Sequence, residues 1–188
     1  MLTDIDEPVV SPRARHLKWR ALDWLEYLLV VLSGLLLLGF TLSEVGDVVL
    51  RQLGHPWLDA QEFSIGFFTW GVFLGGAVAV RRRQHFKLSA IAESAHGRWR
   101  VAIETFDHLV VIAVGLSLTY FGYLNYLNGF GSFLQPSETP VAVFDAAIPV
   151  CGVLITLFAV EQLVNGWRHG FAGPAEENDV AKLLDPGA

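Results

Sequence analysis

The sequence predicts an all-α polytopic membrane protein, with four transmembrane helices and a cytoplasmic interfacial amphipathic helix between helices 2 and 3. Three observations predict it. Apolar residues make up 53% of the 188 residues and charged residues 17%, against about 25% charged in soluble chains. The deficit is concentrated in four long apolar runs separated by short polar segments, which is the pattern of repeated bilayer crossings. Of the 13 Lys and Arg, all but Arg51 fall before the first run, between the second and third, or after the fourth. Cytoplasmic flanks collect Lys and Arg, so both termini are expected inside.

Residues 1–12 (MLTDIDEPVVSP) are acidic and proline-bearing, and are expected to be a disordered leader. The membrane domain is expected over 13–168. It opens on Arg13, Arg15, Lys18 and Arg20 with Trp19 among them, read as a cytoplasmic interfacial anchor. The first apolar run begins past residue 20 and is too long for the h-region of a cleavable signal. A first helix is predicted over about 21–49, its uncharged centre bounded by Glu26 and Glu44. Gly54 and Pro56 end it, and His55-Pro56-Trp57 makes an external turn.

The second helix, about 58–81, orients the rest. Its uncharged run Phe63–Val80 covers 18 residues, about 27 Å at helical rise, close to a ~30 Å hydrocarbon core. The run is entered through Asp59 and Glu62 and left through Arg81-Arg82-Arg83, so it points from outside to inside. Gly71, Gly75 and Ala79 fall four apart on one face, with Gly76 widening the smooth surface, which lets another helix approach closely.

From His85 to Trp99 the spacing of Leu88, Ile91, Ala92, Ala95 and Trp99 is helical, with Lys87, Glu93, Ser94 and Arg98 elsewhere on the wheel. This predicts a short amphipathic helix in the cytoplasmic interface over about 85–99. A third helix is predicted over about 101–126, ended by Asn128-Gly129, Gly131 and Pro136. The fourth, about 141–167, is expected to bend at Pro149. The tail, 169–188, is rich in acid, Gly and Pro and is expected to be mobile.

Few residues carry chemistry. One cysteine, Cys151, removes disulfide and paired-thiol chemistry, and with it quinone-linked thiol oxidases. Glu26, Glu44, Glu62, Asp145 and Glu161 all lie within about two turns of a predicted helix end, where acids snorkel, cap a terminus or meet headgroups. Glu62 heads the glycine-faced helix and is expected to make an interhelical or intersubunit hydrogen bond. His108 is the one histidine within a span, which argues against bis-histidine haem. No HExxH, CxxC, phosphate loop or nucleophile elbow occurs. Arg81-Arg82-Arg83 reads as a topology signal rather than a headgroup site. The chain is expected to be neither an enzyme nor a transporter of charged solutes by itself, and to have no cofactor and no nucleic-acid partner.

The run Glu62…Trp70…Phe73-Leu74-Gly75-Gly76-Ala77…Arg81-Arg82…His85-Phe86-Lys87-Leu88 resembles the signature of the small membrane subunit of tripartite ATP-independent periplasmic (TRAP) transporters, the DctQ type. Ser137-Glu138-Thr139-Pro140 followed by Ala147-Ile148-Pro149-Val150 resembles that family's entry to its fourth helix, although Cys151 precedes the expected glycine, Gly152. The resemblance covers about 18–168. It implies an inner-membrane scaffold for a large DctM-type subunit, which carries sodium and an organic acid delivered by a periplasmic DctP-type binding protein. Glu62, Trp70, Gly71, Gly75, Gly76 and Ala79 are then expected to serve helix packing or the large-subunit interface, so that Gly75→Leu would block association. Arg81, Arg82 and His85 match the motif and would hold the turn into the interfacial helix. Asp59 and Glu138 are candidates for the binding-protein docking surface. The competing reading is a stand-alone four-helix proton-coupled exporter using a membrane carboxylate such as Glu26 or Glu62.

Overall fold

In a computed structural model the protein is described over residues 17–82 and 98–171. A 3-10 turn, Arg20–Leu22, leads into α1 (Asp23–Gln52); α2 (Ala60–Arg81), α3 (Arg98–Gly129), a single helical turn α4 (Ala142–Asp145) and α5 (Ala147–His169) follow. There is no strand among the described residues, and four helical segments are long and apolar enough to cross a membrane: Arg20–Gln52, Ala60–Arg81, Trp99–Gly129 and Ala142–Arg168. The expected all-α, four-span fold class holds. The leader 1–12, His85, the body of the expected interfacial helix and the tail beyond residue 171 lie outside the described residues. The end of that expected helix that is described, Arg98 and Trp99, forms the start of α3.

The breaks have local causes. At the end of α1, Gly54 takes φ 77°, a conformation open to glycine because it lacks a Cβ. His55 N–H then reaches back to Leu50 C=O at 3.0 Å and Gly54 N–H to Arg51 C=O at 3.2 Å, so the last carbonyls are satisfied by a Schellman closure. The expected bend at Pro149 is instead an interruption at Ala146, between α4 and α5. Pro149 sits in the first turn of α5, where its missing N–H costs nothing, and the carbonyl four residues before it belongs to Asp145, the last residue of α4.

The helices do not close into a bundle. Close backbone approaches link α1 with α2, α2 with α5, and α5 with α3; among the described elements the backbone of α1 comes close to neither α3 nor α5, which it meets at most through side chains. The order in space is therefore an open row, α1–α2–α5–α3. Large Leu, Val and Phe side chains remain exposed along every helix, which is ordinary where acyl chains are the solvent. The small apolar core, including Leu29, Leu74, Ala77, Ile155 and Phe158, lies where α1, α2 and α5 meet.

What draws the helices together is small residues, and mostly not the expected ones. A Cβ on Gly152 would stand 2.5 Å from Thr119 N and 2.7 Å from Gly115 O, and one on Gly115 would stand 2.5 Å from Thr156 Oγ1. The α3–α5 crossing is thus backbone against backbone. On α2, a Cβ on Gly71 would meet Leu36 Cβ at 3.5 Å and one on Gly75 would meet Ser33 Oγ at 3.9 Å. The helix approaching that glycine face is α1 of the same chain.

Candidate functional site: a buried ion-pair centre

Arg81, at the last turn of α2, is completely buried. A guanidinium carries five N–H donors and cannot be neutralised, so burial requires that every donor find an acceptor. Nε donates to Glu161 Oε2 at 3.1 Å, and Nη1 donates to Glu26 Oε2 at 2.7 Å and to Leu22 O at 2.8 Å. Nη2 donates to Glu161 Oε1 at 3.0 Å, Asp23 Oδ1 at 3.2 Å and Trp19 O at 3.2 Å. Its two pairs with Glu161 form the bidentate fork that fits guanidinium to carboxylate. The Phe158 ring lies 5.4 Å from Cζ, adding a cation–π contact.

The surrounding charges balance. Arg82 Nε donates to Glu26 Oε1 at 3.0 Å, and Lys18 Nζ lies 3.5 Å from Glu26 Oε2. Three cations, Lys18, Arg81 and Arg82, thus face three carboxylates, Asp23, Glu26 and Glu161. Burial pushes the Lys18 ammonium below its ordinary pKa, against the attraction of Glu26. The N-terminal segment is bound into the same centre: Trp19 N–H donates to Glu161 Oε1 at 2.6 Å, Trp19 Nε1 to Asn165 Oδ1 at 2.8 Å, and Asn165 Nδ2 to Leu17 O at 3.0 Å.

A polar chain carries the centre on to α3. Gln162 Nε2 donates to Arg81 O at 2.9 Å and Val80 O at 3.2 Å, and its Oε1 faces His108 Nε2 at 3.4 Å. His108 Nδ1 lies 2.7 Å from Glu104 O, and the Phe171 ring packs 5.7 Å from the imidazole. All four spans therefore meet at the end of the row that carries residue 17 and the end of α5.

These positions correct three sequence expectations. Glu26 and Glu161 neither snorkel nor meet headgroups; both are fully buried, because Arg81 and its neighbours supply the compensating charge. Of the segment expected to anchor in the interface, Lys18 is buried in the centre beside Leu17, while Trp19 stays half-exposed. Phe171, assigned to a mobile tail, is buried, its ring seated against Gly166. Arg81 does more than hold a turn, since it joins α1, α2 and α5.

The remaining expected residues lie apart from this centre. Glu62 is buried at the opposite end of α2, where it accepts hydrogen bonds from the Ser137 hydroxyl and from Ser137 N–H, the latter at 3.4 Å. Trp70 Nε1 donates to Val143 O at 3.1 Å, tying α2 to α4. Gly76 meets nothing within 4 Å of where a Cβ would stand, and Ala79 is half-buried. Asp59 is half-buried, its carbonyl accepting from Glu62 and Phe63 N–H at the start of α2, and Glu138 is exposed in the α3–α4 loop. Because Gly75 faces Ser33 of α1, the first consequence of Gly75→Leu falls on packing within the chain.

Sequence reasoning missed Arg81 as a hub, along with Asn165, Gln162 and the Gly115–Gly152 crossing. The available signals were the charges Glu26, Arg81 and Glu161 toward the same end of α1, α2 and α5, and the pairs Gly115/Thr119 and Gly152/Thr156 four residues apart. No group of three or more His, Cys, Asp and Glu able to hold a metal occurs among the described residues.

The fold and this site define a multi-pass, four-helix membrane protein whose buried charges are internally paired. Its residues 40–169 match the family of tripartite ATP-independent periplasmic transporters, DctQ component, and the chain belongs to that family, the small membrane subunits of TRAP transporters. It is a family of transporter components, not of enzymes. Comparison with curated proteins gives no match.

Proposed function

We propose that the chain works as a non-catalytic scaffold for a large, sodium-coupled transport subunit that takes up an organic acid from a periplasmic binding protein. The observation that carries this reading is the fate of the buried carboxylates. Glu26 and Glu161 are held by Arg81, Glu62 is engaged by Ser137, and Glu104 is likewise partnered. A carrier acid must exchange protons or bind a cation as it works; these acids instead fix helices to one another. Glu26, one of the two carboxylates named for a proton-coupled exporter, is bound by three cations. Among the described residues the open row leaves a broad apolar surface and encloses no path, as suits a brace rather than a pore.

We further propose that the chain lies in the inner membrane with both termini cytoplasmic. Lys18, Arg20, Arg81, Arg82, Arg100 and Arg168 lie toward one end of the row and only Arg51, among the described Lys and Arg, toward the other, in line with the positive-inside rule. Asp59 and Glu138, at the Arg51 end, are proposed to face the binding protein; Gly76 and Ala79 remain proposed interface positions.

Proteoliposomes test this reading. Vesicles holding the chain and the large subunit should take up organic acid when given binding protein and an inward sodium gradient, and should lose uptake when the chain is omitted. Uptake undiminished without the chain would contradict it.

A further inference from the structure

The two edges of the row differ chemically. From Leu28 to Leu42 the large exposed side chains of α1 are all Leu or Val, and the exposed hydroxyl there, Thr41, donates to Leu37 O at 3.0 Å. That edge offers a partner nothing beyond what an acyl chain would accept. The α3 edge is different: a groove of about 630 Å³ runs along it, with Ile148 of α5 closing one side.

The groove is built from two rows of residues at four-residue spacing. Val110, Val114, Leu118 and Gly122 form one row; Ala113, Ser117, Phe121 and Asn125 form the other. From Val110 to Asn125 it extends about 22 Å along the helix. A furrow between two such i+4 rows is the shape into which the side-chain ridge of another helix packs. Its side chains are uncovered, with Val110 45%, Val114 51% and Phe121 65% exposed.

Polarity argues for a protein helix rather than lipid as the occupant. Ser117 Oγ donates to Ala113 O at 2.8 Å and keeps accepting capacity toward the groove. The Asn125 amide is exposed and has no hydrogen bond to any described residue, although it lies within a membrane-spanning segment. An amide carries two donors and an acceptor that hydrocarbon cannot satisfy, whereas a facing helix with a polar side chain can.

We propose that the α3 groove is the docking site for one transmembrane helix of the large partner subunit, with a small residue packed over Ala113 and Ser117 and a hydrogen-bonding side chain opposite Asn125. The inference rests on the reading of the chain as one component of the tripartite assembly. It assigns the α1 edge to lipid.

Photo-crosslinking in the assembled complex tests it. Benzoylphenylalanine placed at Ala113 should cross-link to the large subunit, while the same side chain at Leu35 on α1 should give no protein adduct. An Ala113 adduct only to lipid or to a second copy of this chain would overturn the assignment, as would a large-subunit adduct only from Leu35. Asn125→Leu should lower recovery of the large subunit with the tagged chain about tenfold and leave the chain's own thermal midpoint in place; undiminished recovery would overturn the polar contact. Should the wild-type chain recover no large subunit at all, the tripartite reading itself fails and the inference falls with it. A groove-specific failure beside normal wild-type recovery fails the inference alone.

Discussion

Arg81 and Glu161, 80 residues apart in sequence, meet as a bidentate pair with neither side chain reaching solvent: Nη2–Oε1 is 3.0 Å and Nε–Oε2 is 3.1 Å. The pair locks the last turn of α2 to α5, and through the other face of the guanidinium α1 is held as well. Breaking such a pair on one side is costly because the remaining charges stay buried without compensation.

Arg81→Met is therefore expected to destabilise the chain by about 3–5 kcal/mol, read as a lower thermal midpoint in detergent. Arg81→Lys should recover only part of the loss, since an ammonium lacks the planar fork that spans Glu161. Full stability of Arg81→Met would mean that the centre contributes nothing to holding the helices.

At the α3–α5 crossing, Gly152→Val should cost more than Gly76→Ala. A Cβ at Gly152 meets Thr119 N at 2.5 Å, whereas nothing lies within 4 Å at Gly76. Overpacking of this kind costs about 1–3 kcal/mol, and the same detergent melt measures it. Equal midpoints for the two variants would contradict the backbone-to-backbone crossing.

Lys18 carries a pH prediction. Its folded pKa lies below the ordinary 10.5 because burial disfavours the ammonium. Between the lowered folded value and 10.5 the unfolded chain binds more protons than the folded one, so stability from this group rises with pH across that window. Lys18→Met removes the burial cost of the charge while Glu26 keeps Arg81 and Arg82. Its advantage over wild type should be largest near neutral pH and shrink as pH approaches 10.5. Melting curves of both forms across that range decide it; an advantage that grows with pH would contradict the sign.

Topology is open to a direct measurement. In intact cells a membrane-impermeant maleimide should label Ser132→Cys, exposed in the α3–α4 loop, and should label Arg168→Cys only after permeabilisation. Buried Cys151 supplies the unlabelled background. The reverse pattern would invert the proposed orientation.

The four spans were legible because uncharged length is a one-dimensional property, and a run such as Phe63–Val80 needs no knowledge of its neighbours. Orientation could be argued from Lys and Arg positions for the same reason. The centre was not legible. Glu26, Arg81 and Glu161 each sit near a helix end, where the local rule says snorkel, and only their meeting across 55 and 80 residues makes burial tolerable. Small residues were legible only in part. The regular spacing of Gly71, Gly75 and Ala79 marked a face open to close helix approach but not which helix; Gly71 and Gly75 face α1, while the tighter contact lies between Gly115 and Gly152 on helices whose adjacency no spacing reveals.

The scaffold reading is tested most directly by purifying the tagged chain from its native membrane and weighing what accompanies it. The account predicts a large multi-span subunit in stoichiometric amount, surviving extraction in mild detergent. Recovery of the chain alone, as a stable homo-oligomer, would contradict it.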